Sequence, residues 1–269
     1  LRNYNVKAFP DSLLQLKVQL ARKALQLNPH SSYTNTAMVW ALLHHPARNF
    51  DSSYFYAKRA FSLNPTDPLM IYNLSGLLTK ELGLYAPVIP LTLHAIKRDP
   101  LDPALYALLG EQYACLGKYP EARSAFRTCL ELVNDQFYQE ATVLYWLVYF
   151  GDYEEVERRL KSRDERHDGV RSYLYAAKNE WDKVKPQHRD YILVQLAAHP
   201  NQVLKEVLKR LEEQIDKGNN RAVFSYDFLS TGYYFDVYRS DADYQRILAK
   251  AKKNHDRYLS KYGRIEIPE

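Results

Sequence analysis

LDPALYALLGEQYACLGKYPEARSAFRTCLELVN, residues 101–134, decides the fold. Tyr106, Leu109, Gly110 and Tyr113 mark one face of a first helix. Ala122, Phe126 and Cys129 mark one face of a second, and Gly117-Lys118-Tyr119 lies between them. Two antiparallel helices must approach closely somewhere, and Gly110 offers a point with no side chain. Ala122 and Cys129 are small enough to nestle against the first helix, while Leu109, Tyr113 and Phe126 fill the remaining space. Truncating Leu109 to Ala should then cost roughly 2–5 kcal/mol. Asp102-Pro103 writes the helix start: a carboxylate at the N-cap, then a proline at the first helical place, where its missing N–H is harmless.

Working outward, the same punctuation returns. Leu27-Asn28-Pro29, Leu63-Asn64-Pro65 and Arg98-Asp99-Pro100 close helical stretches, with the prolines 36 and 35 residues apart. Asp67-Pro68 repeats the start signal of Asp102-Pro103. Residues 32–65 give Met38, Ala57, Ala60 and Leu63, expanded by two residues around His45-Pro46. Residues 68–100 give Leu74, Gly76, Leu78, Val88 and Ala95, with the turn displaced to Leu82-Gly83. Residues 137–168 carry Val143-Leu144 and Leu147, then Gly151-Asp152-Tyr153 with Val156 and Leu160, a copy of the Gly117 turn. A fifth unit over 169–185 runs Tyr173, Ala176-Ala177, Asn179, Trp181 and Val184. Residues 1–31 hold a leading partial repeat, with Ala21 and Ala24 as the small residues of its second helix.

The third unit resembles the tetratricopeptide-repeat (TPR) family, whose pattern W-x2-L-G-x2-Y followed by a small residue, an aromatic and a late proline it meets at Tyr106, Leu109-Gly110, Tyr113, Ala122 and Phe126. Asn134 stands where that family has the proline. The resemblance implies an all-α fold, an α-α superhelix of antiparallel helix pairs, and Gly110, Gly151 and Tyr153 as structural repeat positions. Four or five stacked pairs exceed the three or so that a stable array needs.

The period fails after about residue 186. Helices are predicted over 187–198 and 201–217, the latter ending at Gly218-Asn219-Asn220. An aromatic stretch from Phe224 to Tyr238 leads to Ser240, which with Asp243 makes a capping-box arrangement before Tyr244, Ile247 and Leu248. Residues 186–269 are thus a C-terminal helical cap. Arg239-Ser240-Asp241 and Ile247-Leu248, with Tyr238 and Tyr244 as conservative replacements, resemble the closing motif of bacterial TPR sensor or effector regions. Such regions are fused to winged-helix transcription regulators or class III nucleotide cyclases. Ala242 and Asp243 depart from that motif.

The chemistry of enzymes is hard to place. Cys115 and Cys129, fourteen residues apart, form neither a CxxC nor a disulfide framework, and read as buried small hydrophobes. The eight histidines show no metal-ligand spacing. There is no GxGxxG, no GxxxxGK[ST] and no G-x-S-x-G. We therefore expect no enzyme, no cofactor and no metal. The most basic run, Arg158 to His167, is interleaved with acids and reads as a solvated outer helix face, so direct nucleic-acid binding is not expected. The longest apolar run, Val143–Phe150, is too short to cross a membrane. The cysteine usage favours the cytoplasm. A start at Leu1 rather than Met suggests a piece of a larger protein with an output domain attached outside it.

In a TPR superhelix the concave groove is lined mainly by the second, fifth, ninth and twelfth places of each first helix. Carried onto this chain, the resemblance names Tyr33, Thr36, Trp40 and Leu43, then Tyr72 and Thr79, then Glu111, then Tyr138, Ala141, Tyr145 and Val148, and Tyr173 in the fifth unit. Tyr and Trp suit a binding hot spot, combining large area, few rotors and a polar tip. With 23 tyrosines in the chain, burial between pairs or under the tail is the equal alternative. The two-carboxylate clamp of chaperone-adaptor TPR domains needs Lys, Asn, Asn, Lys and Arg, whereas the corresponding places hold Thr36, Trp40, Asn73, Ala104 and Leu108. That role is not expected. The expected function is a protein- or peptide-binding module, the sensory or effector region of a bacterial signalling protein. The other class is an assembly or secretion scaffold or chaperone, which an exposed apolar patch or a homodimer would favour.

Overall fold

The computed structural model describes residues 11–44, 49–134, 137–161, 163–198, 204–217 and 224–267. Among these residues there are helices and turns and no strand. Helix α1 (Asp11–Leu27) packs on α2 (Ser32–His44), which pairs with α3 (Phe50–Leu63). Then α4 (Pro68–Gly76), prolonged by a π-helical turn over Leu77–Glu81, pairs with α5 (Ile89–Arg98). The pairs α6 (Pro103–Cys115) with α7 (Tyr119–Leu132), and α8 (Phe137–Tyr149) with α9 (Tyr153–Leu160), follow in the same antiparallel manner.

The starts are set by side chains. Asp67 accepts from the Leu69 N–H at 2.9 Å and Asp102 from the Ala104 N–H at 2.8 Å, with the proline between them in both cases. The ends repeat as well. Gly83, Gly117, Gly151 and Asn179 have φ of 67°, 72°, 80° and 61°, the left-handed region that turns the chain at the ends of α4 with its π-helical turn, α6, α8 and α10. In three of the four the same bonds recur: Lys118 N to Tyr113 O, Asp152 N to Leu147 O and Glu180 N to Tyr175 O span 2.8–2.9 Å. Gly83 departs by one residue. Leu84 N reaches back to Leu78 O, because the π-helical turn inserts an extra residue ahead of it.

The seam of the third pair is built around Gly110. A Cβ there would lie 2.9 Å from Phe126 Cζ and nearer still to Cε1 and Cδ1. Phe126, Ala122 and Cys129 are fully buried, Leu109 is buried, and Tyr113 is half-buried.

The fifth unit differs from its expected outline. Helix α10 (Asp168–Ala177) is followed by two 3-10 turns, Trp181–Lys183 and Pro186–His188, and its partner is the later α11 (Ile192–Ala198). Pro186 explains the delay. The residue before a proline is steered out of helical conformation, and Lys185 sits at φ −59°, ψ 135°. The helix predicted over 187–198 begins at Ile192, after the 3-10 turn of Pro186–His188. The one predicted over 201–217 is α12 (Leu204–Asp216). Its expected stop at Gly218-Asn219-Asn220, like the His45-Pro46 expansion, lies outside the described residues.

The tail does more than close the end of the stack. After α13 (Tyr226–Thr231) and a 3-10 turn over Tyr233–Tyr238, α14 (Ala242–Tyr262) runs about 31 Å, at 1.5 Å per residue. Its N-cap is Asp241, whose carboxylate accepts from the Tyr244 N–H at 2.9 Å. The cap thus falls one residue later than the Ser240 arrangement predicted. Asn254 Nδ2 of α14 donates to Ile215 O of α12 at 3.1 Å. At the other end of α14, Tyr262 Oη donates to Asp51 Oδ1 of α3 at 2.6 Å. The Tyr54 hydroxyl donates to Tyr262 O at 3.2 Å, and the two rings meet edge-on at 4.9 Å. One helix therefore ties the last elements of the array to its first complete pair.

Candidate partner-binding surface

The first helices α2, α4, α6, α8 and α10 supply the wall on which the groove residues were predicted, and the tail decides how much of that wall is open. The Thr231 hydroxyl donates to Cys115 O at 3.0 Å and the Tyr119 hydroxyl to Thr231 O at 3.0 Å. The Tyr233 N–H donates to the Tyr149 hydroxyl at 3.0 Å, and the Tyr173 and Tyr234 hydroxyls share a bond of 2.7 Å. Phe228 packs edge-on against Trp146 with ring centroids 5.7 Å apart. The aromatics of the tail thus complete the core of the third to fifth pairs instead of facing solvent.

Several of the predicted groove positions are buried. Tyr173 and Val148 are fully buried, Tyr173 beneath Tyr234 and stacked on Tyr145 at 5.9 Å. Thr79 is fully buried with its hydroxyl returned to Ser75 O at 2.8 Å, and Glu111, Leu43 and Ala141 are buried as well. None of these six presents a surface to a partner. Tyr145 is half-buried, and Tyr138, 63% exposed, stands at the start of α8.

Apart from Tyr138, the exposed groove positions lie on the first two pairs. Tyr33 is 60% exposed, Trp40 is 36% exposed, and Thr36 and Tyr72 are half-buried. The helices are cross-linked here by small polar contacts: Tyr33 Oη to Asp67 Oδ2 at 3.2 Å, and Thr36 Oγ1 to Met70 Sδ at 3.3 Å. Lys80, from the π-helical turn, places its ammonium 3.4 Å from the Tyr72 hydroxyl and over its ring. Desolvation alone would lower the Lys80 pKa, but the Glu111 carboxylate and the Tyr72 phenol outweigh it and hold the group above its ordinary range. The open wall is therefore aromatic, with a charged lysine at its inner edge.

Two polar clusters escaped the sequence reading. Glu140, buried at the start of α8, receives Arg163 Nη2 at 2.8 Å, with His167 Nε2 at 3.5 Å and Arg159 Nη1 at 3.7 Å. The run from Arg158 to His167 was read as a solvated face, and only part of it is. Arg158 and Arg166 are exposed, while Arg159 and Arg163 turn inward and His167 is buried edge-on to Phe137 at 4.8 Å. The second cluster lies where α13 meets α14, with Asp227 Oδ1 4.0 Å from His255 Nδ1. No local pattern signals either cluster, since their members are drawn together from separate helices.

Cys115 and Cys129 are fully buried, and burial pushes the Cys129 thiol up to about 12 and Cys115 well above its ordinary range. Among the described residues no group of three or more His, Cys, Asp or Glu could hold a metal ion. None of the described helices is long and apolar enough to cross a membrane.

Residues 91–124 match the family model of the tetratricopeptide repeat. One repeat-length segment of the chain is thus similar to a TPR. The matched window runs from α5 through α6 into α7, so it holds Gly110, Gly117 and Ala122 and straddles two helix pairs. A comparison with curated proteins finds no match. TPR arrays are protein-interaction modules, and the pairs around this window have the architecture that such arrays share.

Proposed function

We propose that this TPR array binds a protein or peptide along the open inner wall of its first two pairs, as the sensory or effector region of a larger bacterial signalling protein. The observation that carries the proposal is the exposure of Tyr33 and Trp40 on α2, beside Thr36 and Tyr72, whereas Leu43, Thr79, Glu111, Ala141, Val148 and Tyr173 are buried. Rigid aromatics with polar tips bind at low entropic cost. A ligand seated there rests against α2 and α4, and α3, the partner of α2, is held to α14 through Asp51 and Tyr262. Occupancy can therefore bias the tail. The likeness of Arg239-Ser240-Asp241 and Ile247-Leu248 to the closing motif of transcription-regulator and cyclase effector regions supports an attached output domain as the receiver.

The test is selection of displayed peptides on the 269-residue chain, followed by titration of an enriched peptide. Trp40→Ala should weaken binding at least tenfold, as the removal of an aromatic anchor does. In the full-length protein, Trp40→Ala with Tyr33→Ala should uncouple ligand from output. Peptide binding that ignores Trp40→Ala would overturn the assignment of this wall.

A further inference from the structure

We propose that a cavity beside the start of α8 is a binding site for a primary carboxamide, the head group of a glutamine or asparagine side chain. The cavity has a volume of about 120 Å³ and lies between α8 and the segment that joins α9 to α10. Phe137 and Glu140 line it from α8, and Arg163, Asp164, Arg166 and His167 from the joining segment. The side chains of His167 and Glu140, 3% and 4% exposed, form its floor. Those of Asp164 and Arg166, 53% and 66% exposed, stand at its mouth. Three buried atoms here have no hydrogen-bond partner in the protein: Arg163 Nε, His167 Nδ1 and His167 Nε2. Buried polar groups are costly to leave unpaired, so three of them around one cavity mark where a further partner belongs. The carboxylates nearby do not fill that role. Glu140 Oε2 is 3.5 Å from Nε2 and Asp164 Oδ1 is 3.9 Å from Nδ1, both longer than a hydrogen bond of that kind.

The unpaired atoms specify what fits. Burial holds the imidazole below its ordinary value, so it is uncharged in the physiological range, with a proton on one ring nitrogen and a lone pair on the other. Whichever nitrogen lacks the proton faces a carboxylate with no hydrogen between them. Glu140 takes the Arg163 Nη2 donor on Oε1, and its Oε2 receives no hydrogen bond. The site therefore needs a group that accepts from Arg163 Nε–H and also donates, to the bare imidazole nitrogen and to Glu140 Oε2. A carboxylate has no N–H to give and sets a second anion beside Glu140. An ammonium has no lone pair for Arg163 Nε. A primary carboxamide has one accepting oxygen and two N–H donors, which matches the set. Its size matches as well. A water molecule's share of the liquid is about 30 Å³, so the cavity admits about four heavy atoms, the number in a carboxamide and the methylene that carries it. Phe137, edge-on to His167 at 4.8 Å and 5.4 Å from the Arg166 guanidinium, offers that methylene an apolar wall.

Nuclear magnetic resonance of the histidine ring nitrogens in the 269-residue chain tests the proposal, with His167→Gln identifying the His167 signals by their loss. The probes are free L-glutamine and the capped tripeptide acetyl-Gly-Gln-Gly-N-methylamide, each against its counterpart with glutamate or norleucine for glutamine. Saturable shifts of the His167 nitrogens are expected with at least one glutamine probe and with neither kind of counterpart. A response to the tripeptide alone makes the source a residue of a protein partner, one to free glutamine alone a small molecule, and one to both shows that the head group suffices. Arg163→Lys keeps a cation for Glu140 but loses the Nε donor, and should weaken binding at least tenfold, as the loss of a hydrogen bond to a charged group does. Circular-dichroism melting is its folding control, and the comparison of glutamine with glutamate decides without any variant. Trp40→Ala should leave the shifts unaltered, which separates this site from the wall of the first two pairs. An equal or stronger response to glutamate overturns the proposal and assigns the cavity to an anion. Silence with every probe overturns it as well and leaves the cavity to water.

Discussion

Gly110 and Phe126 occupy one space: the ring of Phe126 lies where any side chain on Gly110 would have to begin. Because Phe126 is fully buried, the ring has no exit to solvent. Gly110→Ala should therefore cost about 1–3 kcal/mol, the usual penalty of overpacking, and Phe126→Ala about 3–5 kcal/mol as a core truncation. In the double variant Gly110→Ala/Phe126→Leu the penalties should not add, since the shorter side chain vacates part of the overlap. Urea denaturation of the parent chain, Gly110→Ala, Phe126→Leu and the double variant checks this; strict additivity would mean that the seam relaxes elsewhere.

Asn179 holds φ of 61° at the place where two other units use Gly117 and Gly151. Asparagine tolerates the left-handed region better than residues with a larger or apolar side chain, and alanine there meets its full steric cost. Asn179→Ala should lose about 1 kcal/mol and Asn179→Gly should be neutral or slightly stabilising. Thermal melts of both variants decide the matter, and equal losses would show that the Asn179 side chain, not its backbone, is what counts.

Burial holds the His167 imidazole below its ordinary value of 6.5, with Glu140 and Asp164 pulling the other way and Arg163 and Arg171 adding to the depression. The unfolded chain thus takes up the proton more readily than the folded one. Stability from this site is complete above pH 6.5 and is lost as the pH falls from there through the lower folded value. His167→Gln should remove that part of the acid sensitivity. Urea midpoints measured across this range for both proteins provide the comparison, and parallel curves would show that the imidazole does not contribute.

Tyr262 is buried, while Asp51, which accepts its hydroxyl bond and pairs with Lys261 at 2.5 Å, is exposed. Solvent screens the ion pair, so Asp51→Ala should cost no more than about 1 kcal/mol. Tyr262→Ala removes an aromatic from the seam with Tyr54 and should cost about 3–5 kcal/mol by the standard for core aromatics. Hydrogen exchange should quicken in two places at once, residues 50–61 and 255–267. Faster exchange in the second alone would mean that α14 is not joined to α3 as described.

How much of this was legible follows from the range of each contact. Asp102, Gly110, Gly117 and Phe126 act on neighbours within one pair, and local spacing reveals such contacts. Pro186 was equally visible, but its power to postpone the partner of α10 was missed because a weak period was followed too far. Tyr173 shows the opposite limit. Its register places it on a first helix, yet what covers it is Tyr234, 61 residues away, and no period connects the two. The inward turn of Arg163 and His167 was hidden for the same reason, since Glu140 belongs to another helix.

The clasp of α14 on α3 has a bearing on how the chain comes to be folded. Repeat arrays ordinarily mature segment by segment, each new hairpin finding its predecessor already in place. Here the Tyr54 hydroxyl waits for a carbonyl 208 positions later in the chain. Closing so wide a loop is entropically slow, and it cannot happen during synthesis until the last turn of α14 has left the ribosome. The earliest-made hairpin is thus the one whose completion comes last, and a prematurely stopped chain would carry its defect at the opposite end from the missing residues.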